Sequence, residues 1–347
     1  MSDATPARGA SDVPVRAAGA PPPGGTAAGA RSVGRNLLRE RPILPLLALL
    51  AILVAISELV RPGIVGADWA SVMVRAAVPL AILGACQTLA MLTGGIDLSV
   101  GAVASMSGFV VATFVTSPGG WQLGIAVAIV AAILAGLVTG VGVGVFRVHP
   151  LIMSLGMSFV VLGLANVWQL LKVQTGTGTP DELRWLGSAR SFDLLPNSLL
   201  VFIPLAALVF LAIHRTGFGR LLFAIGDNPI AARLSGARAW QVLIALYVVS
   251  AVLAAIAGFL YSGLTNVASV TLVDSQVLPS VAAAVIGGTS IFGGRGGYAG
   301  TIVGALILAV TSSLLTSLGA PEAIRQILFG SIIVVVAAAY TRVTADR

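Results

Sequence analysis

Ten apolar runs follow one another along the chain, at 43–60, 72–92, 100–115, 123–146, 151–171, 199–213, 242–262, 277–292, 299–318 and 324–340, with little polar sequence between them. A helix needs about 20 mostly apolar residues to cross the hydrocarbon core of a bilayer. This succession constrains the fold more than any single motif does: a 347-residue chain built this way is expected to be an all-α polytopic membrane protein of about ten transmembrane helices. The supply of charge agrees, since 10% of residues are charged against about 25% in an ordinary soluble domain. The longest polar stretches, 1–42, 172–198 and 214–241, are each too small for a core of their own.

The few charges give an expected topology. Ten alternating crossings from a cytoplasmic start place fourteen of the twenty basic residues inside: those of the N-terminal stretch, Arg147, Arg215, Arg220, Arg233, Arg238, Arg295, Arg342 and Arg347. The outer set is Arg61, Arg75, Lys172, Arg184, Arg190 and Arg325, accompanied by Asp68, Asp181, Glu182, Asp193, Asp274 and Glu322. This follows the positive-inside bias and puts both termini in the cytoplasm. Residues 1–41, rich in Ala, Pro and Gly, read as a disordered cytoplasmic tail and not as a signal peptide. Residues 42–341 form the membrane domain, with a cytoplasmic loop at about 214–240, and 342–347 a short cytoplasmic tail. The second, third and eighth runs have Gly-rich ends, so re-entrant segments stand beside full crossings as readings of them.

Several classes of function are excluded. Cys86 is the one cysteine, and His149 and His214 lie far apart, so neither a disulfide within the chain nor a metal site is expected. No G-x-x-x-x-G-K-[ST] occurs, and the single lysine, Lys172, falls on the outer side, so the chain has no ATP-binding loop. No catalytic constellation occurs either. The expectation is a transport protein, not an enzyme, without a cofactor. Its net charge of +7 is scattered over loops as topology requires, and no nucleic-acid partner is expected.

Three segments carry the chemistry. Gly94-Gly95-Ile96-Asp97-Leu98-Ser99-Val100-Gly101 sits between two apolar runs, and an ionisable group at that depth costs several kcal/mol unless buried in protein or reaching water. Asp97 either caps the helix that follows or lies on a pathway, and the two readings are compatible. Gly287-Gly288-Thr289-Ser290-Ile291-Phe292-Gly293-Gly294 repeats the Gly-Gly pair in the second half, and paired Gly-interrupted segments point to a central pathway. Between them, Asp227-Asn228-Pro229-Ile230-Ala231-Ala232-Arg233-Leu234-Ser235-Gly236 reads as a short surface helix, with Asn228 as N-cap, Pro229 at its first position and Gly236 at its end. Such a helix presents itself to a protein partner or rests on lipid headgroups with Arg233 and Arg238 toward anionic lipid. Within the runs, Gly136, Gly140 and Gly144 form a ridge for close helix packing. Gln87, Asn166 and Gln169 either bridge helices or line a polar route.

The Leu92–Gly101 segment, the loop from Gly219 through Gly226-Asp227-Asn228 to Gly236, and Ile286-Gly287-Gly288-Thr289-Ser290 with Gly293-Gly294-Arg295-Gly296 together closely resemble the permease subunits of ribose, xylose and arabinose type ABC importers, from about Arg41 to the end. The resemblance implies about ten helices per subunit in the bacterial cytoplasmic (inner) membrane and two permease subunits, either two copies or one copy with a paralogue, around a pathway. It also implies an extracytoplasmic sugar-binding protein and a cytoplasmic ABC ATPase. Asp227, Asn228, Pro229, Ala232, Arg233 and Gly236 match the family's coupling helix. Gly94, Gly95, Asp97, Ser99, Gln87, Asn166, Gln169, Gly287, Gly288, Thr289 and Ser290 are the pathway candidates. Val277 and Pro279 stand where ribose-type members commonly carry acidic residues, so the sugar does not follow directly; a pentose-like monosaccharide is the leading expectation. The implied mechanism is alternating access driven by the separate ATPase. The rival reading is a gradient-driven secondary transporter that uses Asp97 as its ion or proton site, and a membrane-embedded enzyme stands third.

Overall fold

A computed structural model describes residues 43–115, 120–172, 178–191 and 195–345, with side-chain surroundings to 335. The expected tail 1–41 and the last two residues lie outside the described residues. Each of the ten apolar runs holds a helix: α1 Ile43–Val60, α2 Ala67–Leu92, α3 Val100–Thr113, α4 Gly120–Gly144 and α5 Pro150–Lys172 in the first half. In the second half come α7 Ser198–Arg215, α10 Ala239–Thr265, α11 Val277–Ile286, α12 Tyr298–Ser317 and α13 Glu322–Ala345. The last helix continues through residues 342–345, where a tail is expected from sequence.

Among the described residues, seven of these helices are long and apolar enough to cross a membrane: α1, α2, α4, α5, α7, α10 and α12. Ten full crossings do not follow from the helices alone, because α13 is not among the seven and α3 and α11 are too short. Their 14 and 10 residues cover about 21 and 15 Å at 1.5 Å per residue, against a hydrocarbon core of about 30 Å. They are also the helices that a bundle hides best. All fourteen residues of α3 are buried, as are Pro279 to Val285 of α11. The chain is an all-α polytopic membrane protein; among the described residues the one departure is a two-stranded antiparallel ribbon pairing Arg190–Ser191 (β1) with Leu195–Pro196 (β2).

Three further helices occupy the polar stretches: α6 Asp181–Ser188, α8 Gly217–Asp227 and α9 Pro229–Leu234. The sequence shows only the last of them. Helix α8 buries Gly219, Leu222 and Ile225 along one face, and Thr216 Oγ1 caps its start by accepting from Gly219 N at 3.4 Å.

The core is organised around α10, which lies against α2, α3, α4 and α6. Without a hydrophobic drive between helices in lipid, close approach over small residues supplies the attraction. A Cβ on Gly136 would lie 2.5 Å from Tyr247 O, one on Gly140 2.7 Å from Ile244 Cα, and one on Gly144 2.9 Å from Trp240 O, so the Gly ridge of α4 is the seam against α10. On another face of α10, a Cβ on Gly258 would fall 2.0 Å from Ala104 O of α3. At the periphery the pattern reverses, and Ser57 is the one buried residue of α1.

This packing predicts a contrast between two glycines. Gly258→Ala must push α3 from α10 and lose about 1–3 kcal/mol or more of stability, the cost of overpacking. Gly156→Ala on α5, with nothing within 4 Å of the added atom, should stay within about 1 kcal/mol of the parent. Thermal unfolding of the two purified variants in detergent checks this; equal melting temperatures would contradict the packing.

Candidate functional site

Helix α2 ends at a left-handed residue. Gly94, at φ +79°, lets the chain fold back so that Gly94 N donates to Met91 O at 2.9 Å and Gly95 N to Ala90 O at 3.0 Å, closing the last turn as a Schellman-type cap does. The chain then runs without helix through Ile96, Asp97 and Leu98 until α3 begins at Val100. Backbone groups freed inside a membrane protein must find partners in the protein; two helices supply them, and a third holds the Asp97 carboxylate. Gln87 of α2 uses its whole amide, with Nε2 donating to Asp97 O at 2.8 Å and Oε1 accepting from Asp97 N at 3.2 Å. Ser154 Oγ of α5 accepts from Leu98 N at 3.0 Å and donates to Ile96 O at 3.2 Å.

The third partner, Ser250 of α10, donates from Oγ to Asp97 Oδ2 at 2.8 Å. Asp97 Oδ1 accepts from Ser99 N at 3.0 Å and Ser99 Oγ at 2.6 Å. The carboxylate is 2% exposed and, among the described residues, has no cationic partner. It is held by donors, as an Asx turn ahead of α3 tied across to α10. One turn from Ser250 on α10, Tyr247 is buried with its hydroxyl unpartnered; a Cβ on Gly95 would lie 3.3 Å from that oxygen.

The second break has the same backbone logic. Gly288, at φ +88°, ends α11, with Gly288 N donating to Val285 O at 3.0 Å and Thr289 N to Ala284 O at 2.9 Å. Gly94 and Gly288 are therefore the equivalent positions, one residue out of register with an alignment of the two Gly-Gly pairs. In this register Ile291 takes the place of Asp97, so the second break lacks the carboxylate. Thr289 and Ser290 are both buried, Thr289 Oγ1 without a partner and Ser290 Oγ accepting from Phe292 N at 3.2 Å. The helix before the first break, α2, also touches the helix after the second, α12, through Thr88 Oγ1 and Thr301 Oγ1 at 2.7 Å.

The two breaks and the segment that carries α8 and α9 meet. Gly294 N donates to Leu92 O at 3.0 Å, joining the second break to the end of α2. A Cβ on Gly226, near the end of α8, would lie 1.9 Å from Leu92 O and 2.6 Å from Gly294 N. Beyond this junction, Asn228 Oδ1 accepts from Ile230 N and Ala231 N, each at 3.0 Å, and caps α9; Pro229 takes its first position. Gly236, at φ +84°, ends it. Arg233 Nε donates to Pro229 O at 3.1 Å, Ala232 is buried, and Ile230 and Leu234 are exposed. Asp227, Asn228, Ala232 and Gly236 also line a groove of about 720 Å³ between α8, α9 and the start of α10.

Asn166 and Gln169 do not join this constellation. Both are exposed on α5, Asn166 Nδ2 donates to Leu162 O of its own helix at 2.8 Å, and Asn166 lies about 18 Å along the helix from Ser154 at 1.5 Å per residue. Ser154, Ser250 and Tyr247 are the participants that the sequence did not reveal. A lone serine or tyrosine in an apolar run carries no spacing signal. Among the described residues no three His, Cys, Asp or Glu side chains gather as a metal ion would require. The arrangement can hold two unwound segments in one shape, or release them together.

Among known proteins, the family described as the branched-chain amino acid transport system / permease component matches residues 70–337. The chain is 30% identical over 311 residues to the fructose import permease protein of Rhizobium meliloti, covering 88% of this chain and 86% of the relative. It is 36% identical over 242 residues to the ribose import permease protein of Escherichia coli strain K12, covering 69% and 75%. It is 31% identical over 252 residues to the galactofuranose transporter permease protein of the same strain, covering 72% and 73%. No solved structure gives a significant match.

The hydrogen-bond network makes a stability prediction. Ser250→Ala strips a buried donor from Asp97 and should cost about 1–3 kcal/mol. Tyr247→Phe removes a hydroxyl that has no partner and should cost nothing or stabilise slightly. Reversible denaturation in mixed micelles measures both, and an equal loss in the two variants would contradict the assignment of donors.

Proposed function

The chain belongs to the branched-chain amino acid transport system / permease component family and is a multi-pass inner-membrane permease of an ABC monosaccharide importer; from that premise we propose how it works and with whom. A separate cytoplasmic ABC ATPase docks on α9, an extracytoplasmic binding protein delivers the sugar to the opposite face, and two permease subunits enclose the pathway. Both termini face the cytoplasm in this reading. The cargo is a monosaccharide, with a pentose as the leading case; the relatives' names speak of ribose, fructose and galactofuranose.

The observation that carries the mechanism is the junction of Gly226 with Leu92 and Gly294. Pressure on α9 passes through two residues of chain to Gly226, which has no side chain to cushion it against either break. Closure of the ATPase pair therefore displaces the ends of α2 and α11 together, and the helices rock between outward and inward openings. Gly94, Gly95, Asp97, Ser99, Gln87 and Gly287 to Ser290 shape the moving segments. Specificity rests chiefly with the binding protein, so the breaks need few polar groups toward the sugar. The gradient-driven alternative would have Asp97 carry an ion, whereas its oxygens are occupied by Ser99 and Ser250.

Docking through α9 is testable on its exposed apolar side chains. Leu234 is 85% and Ile230 62% exposed, as interface anchors are before a partner arrives. Leu234→Asp combined with Arg233→Glu should weaken association with the ATPase by about 2–4 kcal/mol, the scale of an interface hot spot, while the permease still folds. Co-purification and sugar uptake in proteoliposomes measure it; undiminished binding and uptake would refute docking at α9.

A further inference from the structure

At the end of α10 remote from α9, a cleft of about 240 Å³ opens between the 3₁₀ turn Asp274–Gln276, the start of α11, and the adjoining ends of α12 and α13. Its polar lining includes Asp274, Gln276, Glu322, Arg325 and Gln326, with two serine hydroxyls beside them. Pro279 and Phe329 supply apolar wall. The volume falls just under the roughly 300–1,000 Å³ of pockets for drug-sized ligands, which suits a smaller molecule.

The mixture of groups selects a chemistry. Carboxylates accept, guanidinium donates, and the two amides do both, a set that matches hydroxyl groups, each of which is donor and acceptor. An anion would meet two carboxylates against one arginine, already ion-paired to Glu322. An apolar molecule would desolvate these polar side chains without return. A polyhydroxylated ring satisfies them at its rim and lays its C–H face on Pro279 and Phe329.

The cleft is also tied to the breaks. Ser105 Oγ donates to Asp274 Oδ1 at 3.4 Å and accepts from Val273 N at 2.9 Å, and Tyr261 OH donates to Gln276 Oε1 at 3.4 Å. Ser105 belongs to α3, which begins just after Asp97, and Tyr261 to α10, whose Ser250 donates to Asp97 three turns earlier.

We propose that this cleft is a low-affinity monosaccharide site of the permease itself, occupied after the binding protein releases its cargo. The inference deepens the importer reading and rests on it. The test uses the full chain in nanodiscs, with saturation-transfer NMR titrations of ribose and of fructose, on the parent, Gln326→Leu and the isosteric Asp274→Asn. The parent should bind one or both sugars, and each variant should raise the dissociation constant about two- to tenfold, the loss of one net hydrogen bond, with unchanged thermal unfolding. No binding by the parent, or equal binding by all three, overturns the site. Uptake by the complete importer is measured in parallel with ribose, fructose and galactose. Uptake without binding to the permease leaves the importer reading standing and removes the cleft, whereas sugar uptake by the permease alone, without the ATPase, removes the importer reading itself.

Discussion

Unwound backbone inside an apolar medium survives only when each freed N–H and C=O finds a partner, and this constraint organises the structure. The break after α2 is kept by Gln87, Ser154 and Ser250, contributed by three helices. Those helices must converge on a few residues, which is why α10 is central and why small residues line its neighbours. Asp97 occupies the centre of the arrangement because a carboxylate accepts several short hydrogen bonds at once, and its donors come from both its own turn and α10.

The same constraint explains why the helices α3 and α11 are short. Helix α3 starts within the bundle after left-handed Gly94 and α11 stops within it at left-handed Gly288, and burial on every side replaces the length that a lipid-facing helix would need. Two interruptions that end alike, one with a carboxylate and one without, divide the labour. The first is fixed by side-chain donors, while the second is fixed mostly by backbone, including the hydrogen bond from Gly294 N to Leu92 O. Because that bond joins them, and because Gly226 abuts both of its ends, the breaks and the helices α8 and α9 are packed as one unit.

The legibility of this unit in the sequence was uneven for physical reasons. Apolar run length located every membrane helix, since burial in lipid acts on composition directly. It did not reveal that α3 and α11 fall short, because a buried half-helix is as apolar as a crossing one. The Asn228, Pro229 and Gly236 signals gave α9 its ends, as capping is local. Helix α8 was missed because Gly217, Gly219 and Gly226 disguise a helix whose glycines serve close contact. Helical spacing placed Asn166 and Gln169 on one face of α5, yet spacing says nothing of which face the bundle covers. The meeting of Leu92, Gly226 and Gly294 joins residues far apart in the chain, and no one-dimensional pattern carries it.

The central claim is that motion of α9 reaches the far end of the bundle through Gly226. Spin labels at Leu234→Cys on α9 and Ser317→Cys at the far end of α12, with buried Cys86 replaced by Ala, would report it by pulsed electron resonance in the complete importer. The interlabel distance distribution should shift between nucleotide-free and ATP-trapped states, and Gly226→Ala should abolish that shift while the ATPase stays bound. A shift that persists unchanged in Gly226→Ala would contradict the account.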